Sequence, residues 1–217
     1  MPPNASSPIG ICKLCLETQP LLNSHIIPEF QYRPLYDNLH RFTTISSDPK
    51  TTSKFVQKGI RERLLCANCE QKLSVWERYS AGVIFSNNAQ LVQRVPEGYI
   101  LGGVKYPEFR LFLLSLLWRM GASTVPMFSM VQLGEHEEKL RLMVLNEQPG
   151  DWGQYPCFLT GLTLGGKFYP DWMHQPDIVA TEDGTTCRVV IGGILYFFFL
   201  NTEPIPDAWH PFTLNPN

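Results

Sequence analysis

The sequence predicts an α+β fold in two parts: a small metal-built N-terminal domain and a larger C-terminal domain of helices and antiparallel sheet. Two Cys-x-x-Cys pairs frame a turn-rich first part that is poor in long apolar runs. An apolar helical pattern follows at 107–120, and strand-like runs dominate after Trp152. We therefore expect a flexible lead-in at 1–9, a metal-bound domain at 10–90 and an α+β domain at 104–210.

Composition places the chain among ordinary globular proteins, since 44% of its 217 residues are apolar and 18% are charged. The first eight residues lack the basic start and apolar run of a secretion signal. The most apolar run, 189–200, is shorter than the roughly twenty residues that a membrane-spanning helix needs. These features predict a cytoplasmic protein with no membrane contact.

The two cysteine pairs predict a structural zinc site. A Cys-x-x-Cys turn brings two thiolates to one ion, and two such turns complete the tetrahedral four-sulfur site that structural zinc prefers. The predicted ligands are Cys12, Cys15, Cys66 and Cys69. The other two cysteines, Cys157 and Cys187, lie in apolar, strand-like surroundings and are expected to be buried without a metal role.

The segment after the second cysteine pair has the pattern of a helix. Leu73, Trp76 and Ser80 recur at helical spacing, so we expect a helix from Cys69, or just after it, to residue 85. A cysteine turn, an extended hairpin region and a second cysteine turn that opens a helix follow one another as in a treble-clef zinc finger of the ββα-metal type. The segment 86–103, with two asparagines, a proline and three glycines, is predicted to be a linker.

The second part of the chain alternates between helical and strand patterns. Residues 107–120 are apolar almost all round and predict a buried helix, and residues 135–145 predict a helix with acidic residues in its first turn. The predicted strands are 157–164, 178–181 and 187–200, with a hairpin turn at 182–185. We expect Gly192 and Gly193 to bend or bulge the last of these strands.

Charge is divided unevenly along the chain. Residues 1–95 carry eleven Lys and Arg against seven Asp and Glu, whereas residues 96–217 carry seven against thirteen. Nucleic-acid contact is therefore expected in the first half, and its predicted contact residues are Arg33, Lys58, Arg61 and Arg63. The alternative is a solvated basic loop.

The acidic C-terminal domain is where we expect a protein partner or a second copy of the chain to bind.

Between the cysteine pairs lies Ser24-His25-Ile26-Ile27-Pro28, and Glu70 directly follows the second pair. With these motifs, residues 10–85 resemble the zinc-stapled branch of the HNH nuclease superfamily. There a Cys-x-x-Cys pair, an Asp-His-Ile-x-Pro-like motif and a Cys-x-x-Cys-His sequence follow one another. The resemblance implies an endonuclease acting on DNA, in bacterial defence or mobile-element biology. It implies that His25 is the general base and that one magnesium or manganese ion serves catalysis.

The sequence departs from the family pattern at two positions. Ser24 stands where an aspartate is usual, and a neutral hydroxyl is a poor ligand for a hard cation. Glu70 stands where the final histidine is usual, and its carboxylate is a competent magnesium or manganese ligand. Glu29, just after Pro28, is a candidate for the missing acid, provided that its side chain points towards His25.

Two other readings of the motif stay open. In the first, the zinc finger is catalytically inactive, binds nucleic acid or a protein partner, and His25 is a structural residue. In the second, His25 replaces one cysteine as a zinc ligand and leaves the metal partly open for hydrolytic chemistry. Two intact cysteine pairs make the second reading unnecessary.

Overall fold

The structure, a computed structural model, describes most of the chain. The described residues are 7–45, 50, 52–85, 90–95, 98–182, 184–200, 207, 209, 213 and 214, of which 90–95, 98–101 and 181 are described by their backbone alone. The first six residues of the expected lead-in lie outside this set. The first strand already begins at Ile9.

The N-terminal half is built from two small antiparallel sheets and one long helix. Its elements are β1 (Ile9–Ile11), β2 (Thr18–His25), α1 (Glu29–Tyr32), a 3-10 turn (Arg33–Leu35), β3 (Arg41–Thr44), β4 (Lys54–Gln57), β5 (Arg61–Cys66) and α2 (Ala67–Phe85). Strands β1, β2 and β5 form one sheet in that order, and β3 pairs with β4 in a separate hairpin. We call the paired strands β3 and β4, residues 41–44 and 54–57, the arm.

Helix α2 confirms the predicted helix but begins at Ala67, two residues before Cys69. It begins there because β5 runs directly into it at Cys66, with no intervening loop. The residues at helical spacing, Leu73, Trp76 and Ser80, all lie on its buried face.

The segment expected to be a linker contains a hairpin. Strand β6 (Gln90–Val95) pairs antiparallel with β7 (Gly98–Gly102). The sequence of both strands is rich in residues that favour strands. The glycine and asparagine content of this segment did not indicate that its two strands pair.

The C-terminal half contains two helices and a four-stranded sheet. Its elements are α3 (Tyr106–Ala122), a 3-10 turn (Pro126–Phe128), α4 (His136–Leu145), β8 (Cys157–Gly161), β9 (Thr163–Leu164), β10 (Lys167–Phe168), β11 (His174–Thr181), β12 (Gly184–Ile191) and β13 (Ile194–Phe199). The large sheet is antiparallel throughout, in the order β11-β12-β13-β8. The predicted α+β class is confirmed.

The expected bend at Gly192 and Gly193 is instead a complete turn. Both glycines have positive φ, 60° and 73°, and Ile191 pairs with Ile194 across them. Two consecutive left-handed residues make the tight hairpin turn that matches the twist of paired strands. The predicted strand 187–200 is therefore two strands, β12 and β13.

Both halves contribute to one continuous core. The buried apolar cluster runs from the cysteine turns through α2 and α3 to the large sheet. Cys157 and Cys187 lie in it fully buried, as expected. Hydrogen bonds also join the halves: Gln31 Nε2 donates to Tyr196 Oη at 2.8 Å, and Arg141 Nη1 donates to the Leu14 carbonyl at 2.5 Å. In the part of the chain that is described, no helix has the length and apolarity needed to cross a membrane.

Candidate metal centre and histidine site

The four paired cysteines converge on one point. The first pair lies in the turn between β1 and β2, and the second pair joins β5 to α2. The four Sγ atoms all lie within 4.8 Å of one another, and Cys15 Sγ is 3.9 Å from Cys66 Sγ. Zinc–sulfur bonds of about 2.3 Å in a tetrahedron separate the sulfurs by about 3.8 Å. The cluster can therefore hold a metal ion such as zinc.

The protein environment favours the thiolate at one cysteine of this cluster, Cys12. The hydrogen bond with Cys12 and burial raise the pKa of Cys69, and burial raises that of Cys15. A hydrogen bond from the Cys69 thiol lowers the pKa of Cys12 to about 4, with help from nearby backbone amides, although burial opposes this shift. One of these amides, that of Cys66, lies 3.4 Å from Cys12 Sγ. Thiolates are the form in which cysteine binds zinc. His25 is not part of the cluster, which makes its reading as a zinc ligand unnecessary.

His25 is the last residue of β2, the central strand of the same sheet. Ile26 and Ile27 turn inward and are fully buried, and Pro28 starts α1 at Glu29. This short return brings Glu29 back over His25, with Oε2 only 2.5 Å from His25 Nε2. Glu29 therefore points towards His25, which the sequence alone left open.

Glu29 is the centre of a partly buried polar cluster. The Tyr36 hydroxyl donates to Glu29 Oε1 at 2.9 Å, His40 Nε2 lies 3.3 Å from the same oxygen, and Arg61 Nη2 lies 3.6 Å from Oε2. Burial opposes ionisation of Glu29, but the Tyr36 hydrogen bond and the neighbouring cations prevail and lower its pKa. We call His25, Glu29, Tyr36, His40 and Arg61 the histidine site.

The environment of His25 favours the neutral imidazole. Burial, and then the positive charge of Arg61, lower its pKa, while the Lys58 carbonyl and Glu29 act in the opposite direction. The carbonyl lies 2.9 Å from Nε2 and also accepts a hydrogen bond from Arg61 Nε at 3.0 Å. At neutral pH His25 is thus unprotonated on one nitrogen, which is the state that a general base requires. Its side chain remains 20% exposed.

Strained backbone holds two of these contacts in place. Lys58 and His40, neither of them glycine, have φ values of 62° and 59°, in the left-handed region that side chains disfavour. Gly59 also has positive φ, and a Cβ there would lie 2.6 Å from the ring of Tyr32. Only glycine at position 59 lets the loop between β4 and β5 approach the Tyr32 ring this closely. This approach places the Lys58 carbonyl in contact with His25.

Ser24 and Glu70 lie on the other side of β2. Neighbouring strand residues point to opposite faces, so Ser24 turns inward and is 2% exposed. Its hydroxyl accepts a hydrogen bond from the Leu65 amide and interacts with Glu70. Burial raises the pKa of Glu70, while Ser24 and the charge of Arg119 act in the opposite direction.

Arg119 of α3 closes this inner face. Its guanidinium donates to the His25 carbonyl at 3.1 Å and to Glu77 Oε1 at 2.7 Å, and the residue is 1% exposed. A hydroxyl already bonded to backbone and a carboxylate beside a buried guanidinium do not suit a hard divalent cation. The residues at positions 24 and 70 therefore do not fit a catalytic magnesium or manganese ion.

The predicted nucleic-acid contacts are dispersed. Arg61 belongs to the histidine site, and Lys58 meets His25 through its carbonyl. Arg63 is exposed on the same strand as Arg61, with one guanidinium nitrogen bound to the Leu21 carbonyl. Arg33 is exposed in the 3-10 turn after α1.

Two members of the histidine site escaped the sequence analysis. Tyr36 and His40 stack on each other with ring centroids 3.9 Å apart, and both reach Glu29. They lie in irregular segments seven and eleven residues from Glu29. No periodic pattern links such positions, so a sequence motif could not have identified them.

No protein-family model matches the chain, and neither does any curated protein or solved structure. Fold and site therefore define its class by themselves. It is an α+β protein whose N-terminal half is built on a four-cysteine cluster able to bind a metal ion, with a partly exposed histidine–carboxylate–arginine group beside it, contributed by β2, α1 and β5.

Proposed function

We propose that the chain is a zinc-stapled, HNH-like endonuclease that hydrolyses phosphodiester bonds of nucleic acid, with DNA as the expected substrate. The observation that carries this proposal is the pairing of His25 with Glu29 beside Arg61, at the end of the central strand of the sheet held by the cysteines. The order of cysteine turn, hairpin, strand and helix supports a treble-clef finger with zinc as its structural ion.

In this mechanism His25 removes a proton from a water molecule with Nδ1, since Nε2 faces the Glu29 carboxylate and the Lys58 carbonyl, and the water oxygen attacks phosphorus. The new oxygen–phosphorus bond forms as the bond to the leaving oxygen breaks, and solvent protonates that oxygen. Glu29 and the Lys58 carbonyl orient the ring and stabilise the imidazolium once it forms. Arg61 is close enough to offset the negative charge of the phosphate.

Magnesium or manganese enters the proposal only through the resemblance. Because Ser24 and Glu70 do not fit such an ion, no step here depends on it, and the metal requirement is left to experiment. A cytoplasmic location also belongs to the proposal, since reducing conditions keep zinc-binding thiols free of disulfides.

The same inner face favours a second candidate function. Ser24 is buried, and Arg119 sits beside Glu70 where the nuclease family binds its metal. A finger altered in this way can serve as an inactive module that binds nucleic acid or a protein partner. Contact through the acidic C-terminal half, with a partner or a second copy of the chain, would fit either function.

Plasmid cleavage by the purified, zinc-loaded protein separates the two functions. The wild type is incubated with magnesium, with manganese and with chelator, beside His25→Ala, Glu29→Gln and the control His174→Ala. His174 is exposed and bonds only a neighbouring carbonyl among the contacts described. We expect cleavage by the wild type and by the control, slower cleavage by Glu29→Gln and none by His25→Ala.

Cleavage that persists unchanged in His25→Ala would refute the proposed mechanism. A wild type that cuts under no metal condition but retards DNA in a gel would support the inactive binding module.

A further inference from the structure

Both ends of the arm contact the histidine site. His40, which contacts Glu29, directly precedes β3, and Lys58, whose carbonyl contacts His25, directly follows β4. Both of these residues have left-handed backbone. Whatever binds along the arm is therefore led to the histidine site.

The two faces of the arm differ in character. Phe42 on the inner face is buried, and its ring lies 5.5 Å from that of Tyr32. Phe55 is on the outer face, paired with Thr43, and remains 66% exposed. Its exposed ring is therefore available to contact a ligand beside the histidine site.

The ring of Phe55 packs against the guanidinium of Arg41. The guanidinium of Arg41 lies 4.5 Å from the ring centroid, and two hydrogen bonds to Asp37 fix that guanidinium in place. Lys54, next to Phe55 on β4, and Lys58, directly after β4, are also exposed. An aromatic ring with a planar cation and flanking lysines is the combination that binds a polyanion with exposed π-faces.

We propose that the arm binds an unpaired nucleic-acid strand, with one base stacked on Phe55 and the flanking phosphates on the lysines. This inference rests on the proposed function for its role, which is to deliver a single strand to His25. A regular duplex keeps its bases stacked inside and offers a protruding ring little to stack on. An unpaired base presents its face freely, and DNA and RNA strands share this chemistry.

Fluorescence anisotropy with labelled oligonucleotides tests the arm. The full chain carries His25→Ala in every sample so that no strand is cut. Single-stranded DNA, single-stranded RNA and a DNA duplex of equal length are titrated with this parent, with added Phe55→Ala, with Phe55→Trp and with the control Trp172→Ala. Trp172 is an aromatic residue of comparable exposure, 51%, in the C-terminal half. Circular dichroism and zinc content check that every variant is folded.

We expect Phe55→Ala to weaken single-strand binding by about 5- to 150-fold and to change duplex binding less than about twofold. Phe55→Trp and Trp172→Ala should bind as the parent does. If Phe55→Ala binds single strands as tightly as the parent, the arm proposal is wrong. Cleavage by the wild type in that event would leave the proposed function standing. Phe55-dependent binding by a protein that cuts nothing would uphold the arm and reject the nuclease.

Discussion

Ser24 and His25 are neighbours on β2 that serve opposite faces of the sheet. His25 faces the polar cluster around Glu29, whereas Ser24 faces Glu70 and the protein interior. Strand alternation makes this separation unavoidable, since the side-chain period of a strand is two. The sequence motif therefore nominated His25 together with Glu70, although the two side chains lie on opposite sides of β2.

Glu70 predicts a specific dependence of stability on pH. Burial raises its pKa above the ordinary 4.5, so between pH 4.5 and the raised pKa the folded protein keeps a proton that the unfolded chain has released. Stability arising from this group is thus present below pH 4.5 and is lost as pH rises through the folded pKa. Glu70→Gln, which never ionises, should be more stable than the wild type at pH 7 and differ little at pH 4.

Urea unfolding at the two pH values measures this difference. A Glu70→Gln protein that is less stable at pH 7 would mean that Ser24 and Arg119 outweigh the cost of burying the charge.

At the same scale, fixed spacing in the sequence predicted that the four thiols converge, which the structure bears out. The same motif nominated His25 as the base, and that role stays a prediction. The position of Glu29 over His25 depends on the turn through Ile26, Ile27 and Pro28, so the sequence could only nominate it. The contacts of Tyr36, His40 and the Lys58 carbonyl arise from irregular loops, whose geometry no pattern encodes.

At the scale of elements, the cysteine cluster joins the β1–β2 turn to the β5–α2 junction. A bound zinc contributes folding free energy directly to such a small sheet. Cys69→Ser should therefore lose the metal and lower the free energy of unfolding by more than about 4 kcal/mol. Elemental analysis and denaturant unfolding measure the two effects.

The control for this variant is Cys187→Ser, which places a hydroxyl in the apolar core. It should keep its zinc while losing roughly 1 to 3 kcal/mol. Full zinc content in Cys69→Ser would show that the cluster is not the metal site.

Periodicity predicted the helices well, because each buries a continuous face or is apolar all round. It was less reliable where local geometry decides. Gly192 and Gly193 were read as a bend although they make a full hairpin turn, and the segment 86–103 was read as a linker although it pairs with itself. At Gly192 and Gly193, glycine was taken as a sign of irregularity although it permits the two strands to reverse.

For the whole molecule, residues of the C-terminal half bind the backbone and side chains of the elements that carry the histidine site. Arg119 of α3 binds the His25 carbonyl, and Tyr196 of β13 binds Gln31 in α1. Sequence reasoning treated the two halves as separate domains, and nothing in their composition indicates these contacts. They show that helix α3 and the large sheet fix the strand and the helix that carry His25 and Glu29.

Arg119→Met should destabilise the protein by about 3 to 5 kcal/mol, because it leaves Glu77 and the His25 carbonyl without their buried partner. The matched control is Arg188→Met, which breaks a half-exposed ion pair with Asp177 and should cost less than about 1 kcal/mol. Equal losses in the two variants, measured by thermal and denaturant unfolding, would contradict the structural role assigned to Arg119.

The most direct test of the account is the single-turnover rate of phosphodiester cleavage, measured against pH for the wild type and for His25→Ala at equal zinc content. We predict a rate for His25→Ala lower by about 10²- to 10⁴-fold. The wild-type rate should decline with falling pH through an apparent pKa below 6.5, because burial and Arg61 lower the pKa of His25 beneath that value. An equal rate for the two proteins across the pH range would contradict the claim that His25 is the base.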